Sequence, residues 1–192
     1  MRTGRWPYIL LAVFIVFPII RGLGQQSSGS DLRYNSAGKM LLPANYREWN
    51  YVSSGLGMTY GTATTAPANP SFDNVFVNPA AYQAFQRTGT WPDKTVLILE
   101  VRASDSKASI NKGGFYQTAV RSIEAHVKDE SRGGWAFYGF GENGTEAEML
   151  PKTRSCYSCH EQNGAVDTTF VQFYPALRTT AAAKGTFREG KE

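Results

Sequence analysis

Apolar and polar positions alternate along several short stretches of this chain, with the two-residue period of a strand that buries one face. Residues 95–102 show it best: Val96, Ile98 and Glu100 fall on one face, Leu97, Leu99 and Val101 on the other. Just upstream, Phe72–Val77 is rich in aromatic and β-branched residues and reads as another strand. Asn78 and Pro79 follow, a capping residue and a residue suited to the first helical turn. Tyr82 and Phe85 then share a helical face, and Gly89 marks the helix end. Two further strands are expected at 115–128 and 134–140, after a polar, glycine-containing connection over 103–114. Near the start, 45–49 suggests a short helix, 51–53 a weak strand, and 61–71 a loop of Thr, Ala and Pro. Near the end, 167–177 looks like a terminal helix closing near Pro175. There are no internal repeats. Short strands separated by turns predict an α+β fold, an antiparallel β-sheet with flanking helices.

The apolar run from Tyr8 to Ile20 stands apart from this pattern. Arg2 and Arg5 precede it, and Gly22 and Gly24 follow. A charged head, an apolar middle and a small-residue exit are the order of a secretory signal peptide, so 1–24 is read as a leader. An uncleaved anchor is the alternative, although the run is short for a spanning helix. Residues 25–36 are rich in Gly, Ser and Gln and read as a flexible tether. The folded domain is expected over 37–185. The leader changes the charge picture too. Arg2, Arg5 and Arg21 account for three of the four net positive charges, leaving +1 for the rest. A nearly neutral domain gives no reason to expect nucleic acid as a partner. Aromatic residues make up 13% of the chain, enough bulk for a core or a cofactor pocket.

The sharpest chemical signal is Cys156-Tyr157-Ser158-Cys159-His160, which uses both cysteines and one of the two histidines. C-x-x-C-H is the attachment pattern for a c-type haem: two thiols bond the porphyrin and the next residue offers an imidazole to the iron. A redox-active disulfide is the rival. It does not explain the adjacent histidine. A zinc site would need more Cys and His ligands than the chain has. Covalent haem c is assembled outside the bacterial cytoplasm, so the motif and the leader together point to the periplasm.

Several segments, in order, resemble the cytochrome P-460 family: LLPANYREW (41–49), FVNPAAYQAFQRTGTWPD (76–93), EAHVKDESRGGWAFYGF (124–140), CYSCH (156–160) and GAVDTTFVQFYPAL (164–177). The resemblance implies a single c-type haem packed on an antiparallel sheet, often in a homodimer. It covers two kinds of protein. Cytochromes P-460 proper oxidise hydroxylamine and carry a lysine bonded to the porphyrin. The cytochromes c′-beta lack that bond and bind nitric oxide or carbon monoxide at an open iron. The cross-linking position maps to Leu99, whose alkyl side chain cannot form the bond, and Lys94 sits in the turn before that strand. The family's pocket carboxylate maps to Glu124. An arginine of the hydroxylamine oxidisers maps onto or near Asp73.

On this reading Cys156 and Cys159 hold haem c, His160 is the proximal iron ligand, and Glu124 is a proton relay. Leu99, with Leu97, Val101 and some of Phe72, Phe76 and Phe115, forms an apolar distal wall. Glu124 has a plainer alternative, a surface carboxylate paired with Lys128 or Arg121. The sixth iron position decides function. Its candidates are Met40, Met58, Met149 and His126, the last two residues beyond Glu124 on one strand face. If it is open, the protein binds a small diatomic ligand such as nitric oxide. The alternatives are a haem oxidoreductase acting on hydroxylamine or nitric oxide, and a simple electron carrier with an unidentified periplasmic redox partner. Peroxidase-like chemistry ranks last, for want of a distal histidine–arginine pair.

Overall fold

The structure is a computed structural model, and it describes residues 1, 31–60, 65 and 67–191. The leader assigned to 1–24 and the first part of the tether therefore fall, apart from Met1, outside the described residues. In chain order the elements are β1 (Arg33–Tyr34), β2 (Met40–Leu41), β3 (Asn50–Leu56), β4 (Phe72–Val77), α1 (Pro79–Thr88), β5 (Val96–Asp105), β6 (Tyr116–Asp129), β7 (Gly134–Gly141), β8 (Glu146–Ala147), α2 (Ser155–Asn163) and α3 (Pro175–Ala183). Strands β3 to β7 form one antiparallel sheet in sequence order, and β1, β2 and β8 form a second, small one. This is the α+β, antiparallel architecture expected.

The alternation in β5 divides the core into two. Val96 and Ile98 pack with Met40, Tyr46 and Tyr138 on one face. Leu97 packs on the other with Val77, Phe85, Trp91 and Leu177, beneath helices α1 and α3. Glu100 is buried on the first face. It is matched there by Tyr46, by Arg47 Nε at 2.8 Å and by Arg102 Nε at 2.7 Å. Burial alone would raise its pKa, but those donors together hold it below the usual carboxylate value. Helix α1 runs between the residues its sequence suggested. Pro79 opens it, and Gly89 ends it at φ 75°, a left-handed conformation that glycine adopts without cost.

The structure departs from the sequence reading in five places. The expected helix at 45–49 is one 3-10 turn, Tyr46–Glu48. Strand β5 runs on to Asp105, so the connection after it is shorter than 103–114. Strand β1 lies inside the stretch read as a tether and pairs with β2. Beyond the expected end at 185, Thr186 Oγ1 donates to Gly89 O and Arg188 N to Ala165 O. The largest difference is at the C-terminus. Residues 167–177 are not one helix: a tight turn at 166–169 and a 3-10 turn at Val171–Phe173 precede α3, which Pro175 starts rather than ends. Proline lacks the N–H that the first helical turn leaves unused, and it keeps Tyr174 out of the helical region, at φ −110° and ψ 86°.

Candidate functional site

On the face of the sheet that carries Leu97, a cavity of about 780 Å³ opens. Cofactor pockets fall in the range of ~300–1,000 Å³. Register sets the order of its floor. Leu97 pairs with His126, and His126 with Phe137 on β7; Leu99 pairs with Glu124 and Val75; Val101 pairs with Asp73. Each step along β5 from Leu97 to Leu99 to Val101 advances about 7 Å. Met58, Tyr60 and Phe170 are also in the wall.

Helix α2 borders this cavity. It presents Cys156, Cys159 and His160 to it, and the two thiols are free. The helix buries none of its nine side chains, because the face that would pack on the sheet looks into the cavity. Its placement comes from Tyr157, whose hydroxyl donates to Leu150 O (2.9 Å) and accepts from Phe137 N (3.2 Å). At the other end, Arg188 Nη1 donates to Glu161 O (3.0 Å), a cation at a helix C-terminus.

The His160 imidazole is held from behind. Its Nδ1 lies 2.7 Å from Thr168 O. A carbonyl can only accept, so Nδ1 carries the proton and Nε2 keeps a free lone pair. Burial lowers the His160 pKa, and the Thr168 bond offsets only part of this, which favours the neutral ligand form. Thr168 sits in the turn at 166–169. Asp167 there takes a left-handed φ of 50°. Thr169 N donates to Val166 O (2.9 Å), and Trp91 Nε1 donates to Thr169 Oγ1 (2.8 Å) in the core. The tryptophan of the WPD stretch thus fixes the turn that orients His160. Phe170 and Phe137 flank the imidazole at centroid distances of 4.1 and 4.7 Å.

Glu124 and Leu99 line the cavity together, as the strand pattern implied. Glu124 pairs with neither Lys128 nor Arg121: Lys128 Nζ donates to Trp91 O (2.9 Å) and lies 3.6 Å from Asp167. The walls around Glu124 exclude enough bulk water to raise its pKa. Phe76, assigned to the distal wall, is instead on the opposite face, edge-on to Tyr46 and Tyr51 at 5.8 Å. Because β4 alternates, Asp73 and Val75 take the cavity side and Phe72, Asn74 and Phe76 the other. Phe115 is exposed beyond the start of β6.

The candidates for a sixth iron ligand separate cleanly. Met40 is fully buried in the opposite core, and Met149 is outside the cavity, bridged to Tyr138. His126 lines the cavity but on the wrong side. Its Nε2 is 3.1 Å from Thr168 Oγ1, next to the carbonyl that holds His160 Nδ1. It therefore stands behind His160 rather than across from Nε2. There it stacks on Phe137 at 4.1 Å and 9°. Burial above all keeps its pKa far below the ordinary value, so it is neutral. Of the four, Met58 and His126 line the cavity, and His126 is the one that contacts Thr168. A Cβ at Gly55 would run into the Met58 Sδ.

These residues fit a haem. The cavity volume suits a large planar cofactor, both thiols and an imidazole with a fixed tautomer open into it, and Leu97, Leu99 and Val101 give its floor an apolar strip. Among the described residues no group of three or more His, Cys, Asp or Glu side chains could hold a metal ion by itself, so iron here would draw its other ligands from a porphyrin. The sequence did not reveal Thr168, Phe137, Phe170 or Tyr60 as parts of the site. Thr168 holds His160 through its backbone carbonyl, which any residue type could supply. Asp73 was legible in principle from the two-residue period of β4. The family model for cytochrome P460 matches residues 43–171, more than half of the chain. No curated protein matches the chain.

Proposed function

The chain belongs to the cytochrome P460 family, a family of haem cytochromes, and from that premise we propose a mono-haem c-type protein with an open distal iron site. Cys156 and Cys159 hold the haem covalently. Their thiols, both free and facing the cavity, would form the two thioether bonds to the porphyrin. His160 supplies the proximal imidazole through Nε2, with Thr168 O fixing its orientation. The haem contributes the iron that binds a small diatomic ligand such as nitric oxide. The observation that carries this reading is the one-sided placement of the imidazoles. Both stand at the Thr168 end of the cavity, and the floor beyond them is Leu99 and Val101.

Leu99 and Val101 donate no hydrogen bond to a bound oxyanion, and among the described residues no lysine or arginine lines the cavity. Lys94 is tied to Asp129, away from the cavity. The hydroxylamine chemistry that depends on a lysine–porphyrin bond is accordingly the weaker reading. Export to the periplasm and homodimer formation complete the proposal, supported by the leader pattern and by the family resemblance. Mass spectrometry of the denatured protein tests attachment: the haem mass must persist in the wild type and be lost when Cys156 and Cys159 are both replaced by serine. Carbon monoxide titration of the reduced protein tests the open site.

A second reading, a simple electron carrier, is favoured by one observation, the Met58 thioether in the cavity wall. Met58→Leu distinguishes the two. It leaves the spin state of the reduced protein unchanged if the site is open, and converts low spin to high spin if Met58 ligates the iron.

A further inference from the structure

Asp73 opens into the same cavity as Glu124. The two flank β5: Asp73 is opposite Val101, and Glu124 is opposite Leu99. Two strand spacings and one two-residue step separate their Cα atoms by ~12 Å, and both residues line the cavity. No described residue hydrogen-bonds or ion-pairs with either carboxylate. Burial raises the pKa of each, and the negative charge on Glu124 raises Asp73 further.

Among the described residues, no cationic side chain in the wall compensates for them. The other titratable groups facing the cavity are Tyr60 from the loop after β3, His126 from β6, Cys156, Cys159 and His160 from α2, and Tyr174 before α3. Tyr60 and Tyr174 are pushed up, chiefly by burial, and stay neutral phenols. His126 and His160 are pushed down and stay neutral imidazoles. The cysteines are thioethers on the reading above. Among the described residues the cavity wall therefore carries two carboxylates and no cationic side chain to balance them.

We propose that Asp73 and Glu124 together form an anion filter that determines which ligands reach the iron. This deepens the open-site reading and rests on it. A neutral diatomic ligand enters without opposition. A small monoanion meets two buried carboxylates and binds only with uptake of a proton. Entering as its neutral conjugate acid, it leaves the proton on one carboxylate and coordinates as the anion, so charge and atoms balance.

The test compares azide binding to the oxidised holoprotein with carbon monoxide binding to the reduced holoprotein, between pH 5.5 and 8.5. In the wild type, azide affinity is expected to fall about tenfold for each pH unit above the carboxylate titrations, since one proton is taken up per anion. Asp73→Asn removes one of the two like charges that face an entering anion, and is expected to raise the azide-to-carbon monoxide affinity ratio at pH 7.5 by ~10-fold. With Glu124→Gln added, the pH slope flattens. An unchanged ratio and slope in Asp73→Asn overturn the filter while leaving the open site standing. If neither ligand perturbs the spectrum, the open site fails and the filter with it. Infrared titration gives an independent readout that needs no ligand: a carboxylic acid band lost in Asp73→Asn should titrate at lower pH in Glu124→Gln. A fixed midpoint also overturns the pairing.

Discussion

Gly164→Ala tests how the structure holds His160. Gly164 caps helix α2, and its φ of −64° is open to any residue, so backbone strain plays no part. The constraint is space. A Cβ there would lie 2.7 Å from His160 O and 2.8 Å from both Thr168 C and Thr169 N. All three are backbone atoms, and ordinary contact begins near 3.4 Å, so the turn at 166–169 must move from the helix by ~0.6 Å. Along the His160 Nδ1–Thr168 O direction, such a shift stretches the 2.7 Å bond to ~3.3 Å, past the usual N–H···O limit. Overpacking of this kind costs about 1–3 kcal/mol, and the weakened hydrogen bond adds ~1 kcal/mol. A loss of about 3 kcal/mol lowers Tm by ~6–12 °C for a domain of this size. A weaker Nδ1–H bond also makes His160 a poorer electron donor, so the haem reduction potential should rise. Thermal unfolding and a redox titration measure both. Gly113→Ala is the control, because a Cβ there meets nothing within 4 Å. If Gly164→Ala matches that control in both Tm and potential, the turn does not hold the imidazole as argued.

Three further outcomes follow from the same geometry. His126→Ala should lower stability by ~3 kcal/mol through loss of the Phe137 stack while leaving the spin state unchanged; a spin change seen by optical spectroscopy would place His126 on the iron. Trp91→Phe removes the donor to Thr169 Oγ1 and should cost ~1–3 kcal/mol in denaturant unfolding; a variant as stable as wild type would show that the turn does not depend on Trp91. The raised pKa of Glu124 carries a definite sign. Between its unfolded value of ~4.3 and its higher folded value, the native state keeps a proton that the unfolded chain releases, so stability falls as pH rises through that window. Glu124→Gln should make the fall in Tm between pH 5 and 7 shallower than in the wild type, and an identical slope would contradict the burial.

Local signals carried much of the fold. Strand β4 and helix α1 begin and end where the pattern put them, because Asn78, Pro79 and Gly89 punctuate the chain with unambiguous backbone chemistry. The two faces of β5 were legible because the strand alternates. Which face each neighbour joined was not, since both sides of the sheet are buried and Phe72 and Phe76 satisfy a core as well as a cavity. Pro175 misled as a helix stop because proline also starts helices, and the tight turn before it is set by Trp91, distant in sequence. For the site, C-x-x-C-H named three residues at once. The His126 position was half legible: period two put it beside Glu124, but only the Thr168 contact shows which side of His160 it occupies.

The account turns on a single axial imidazole opposite an unfilled iron position. An optical spectrum of the dithionite-reduced protein, before and after nitric oxide, tests this most directly. A five-coordinate, high-spin ferrous form that changes on adding the gas is the predicted result. A low-spin form indifferent to nitric oxide, or a protein with no haem absorption, would contradict it.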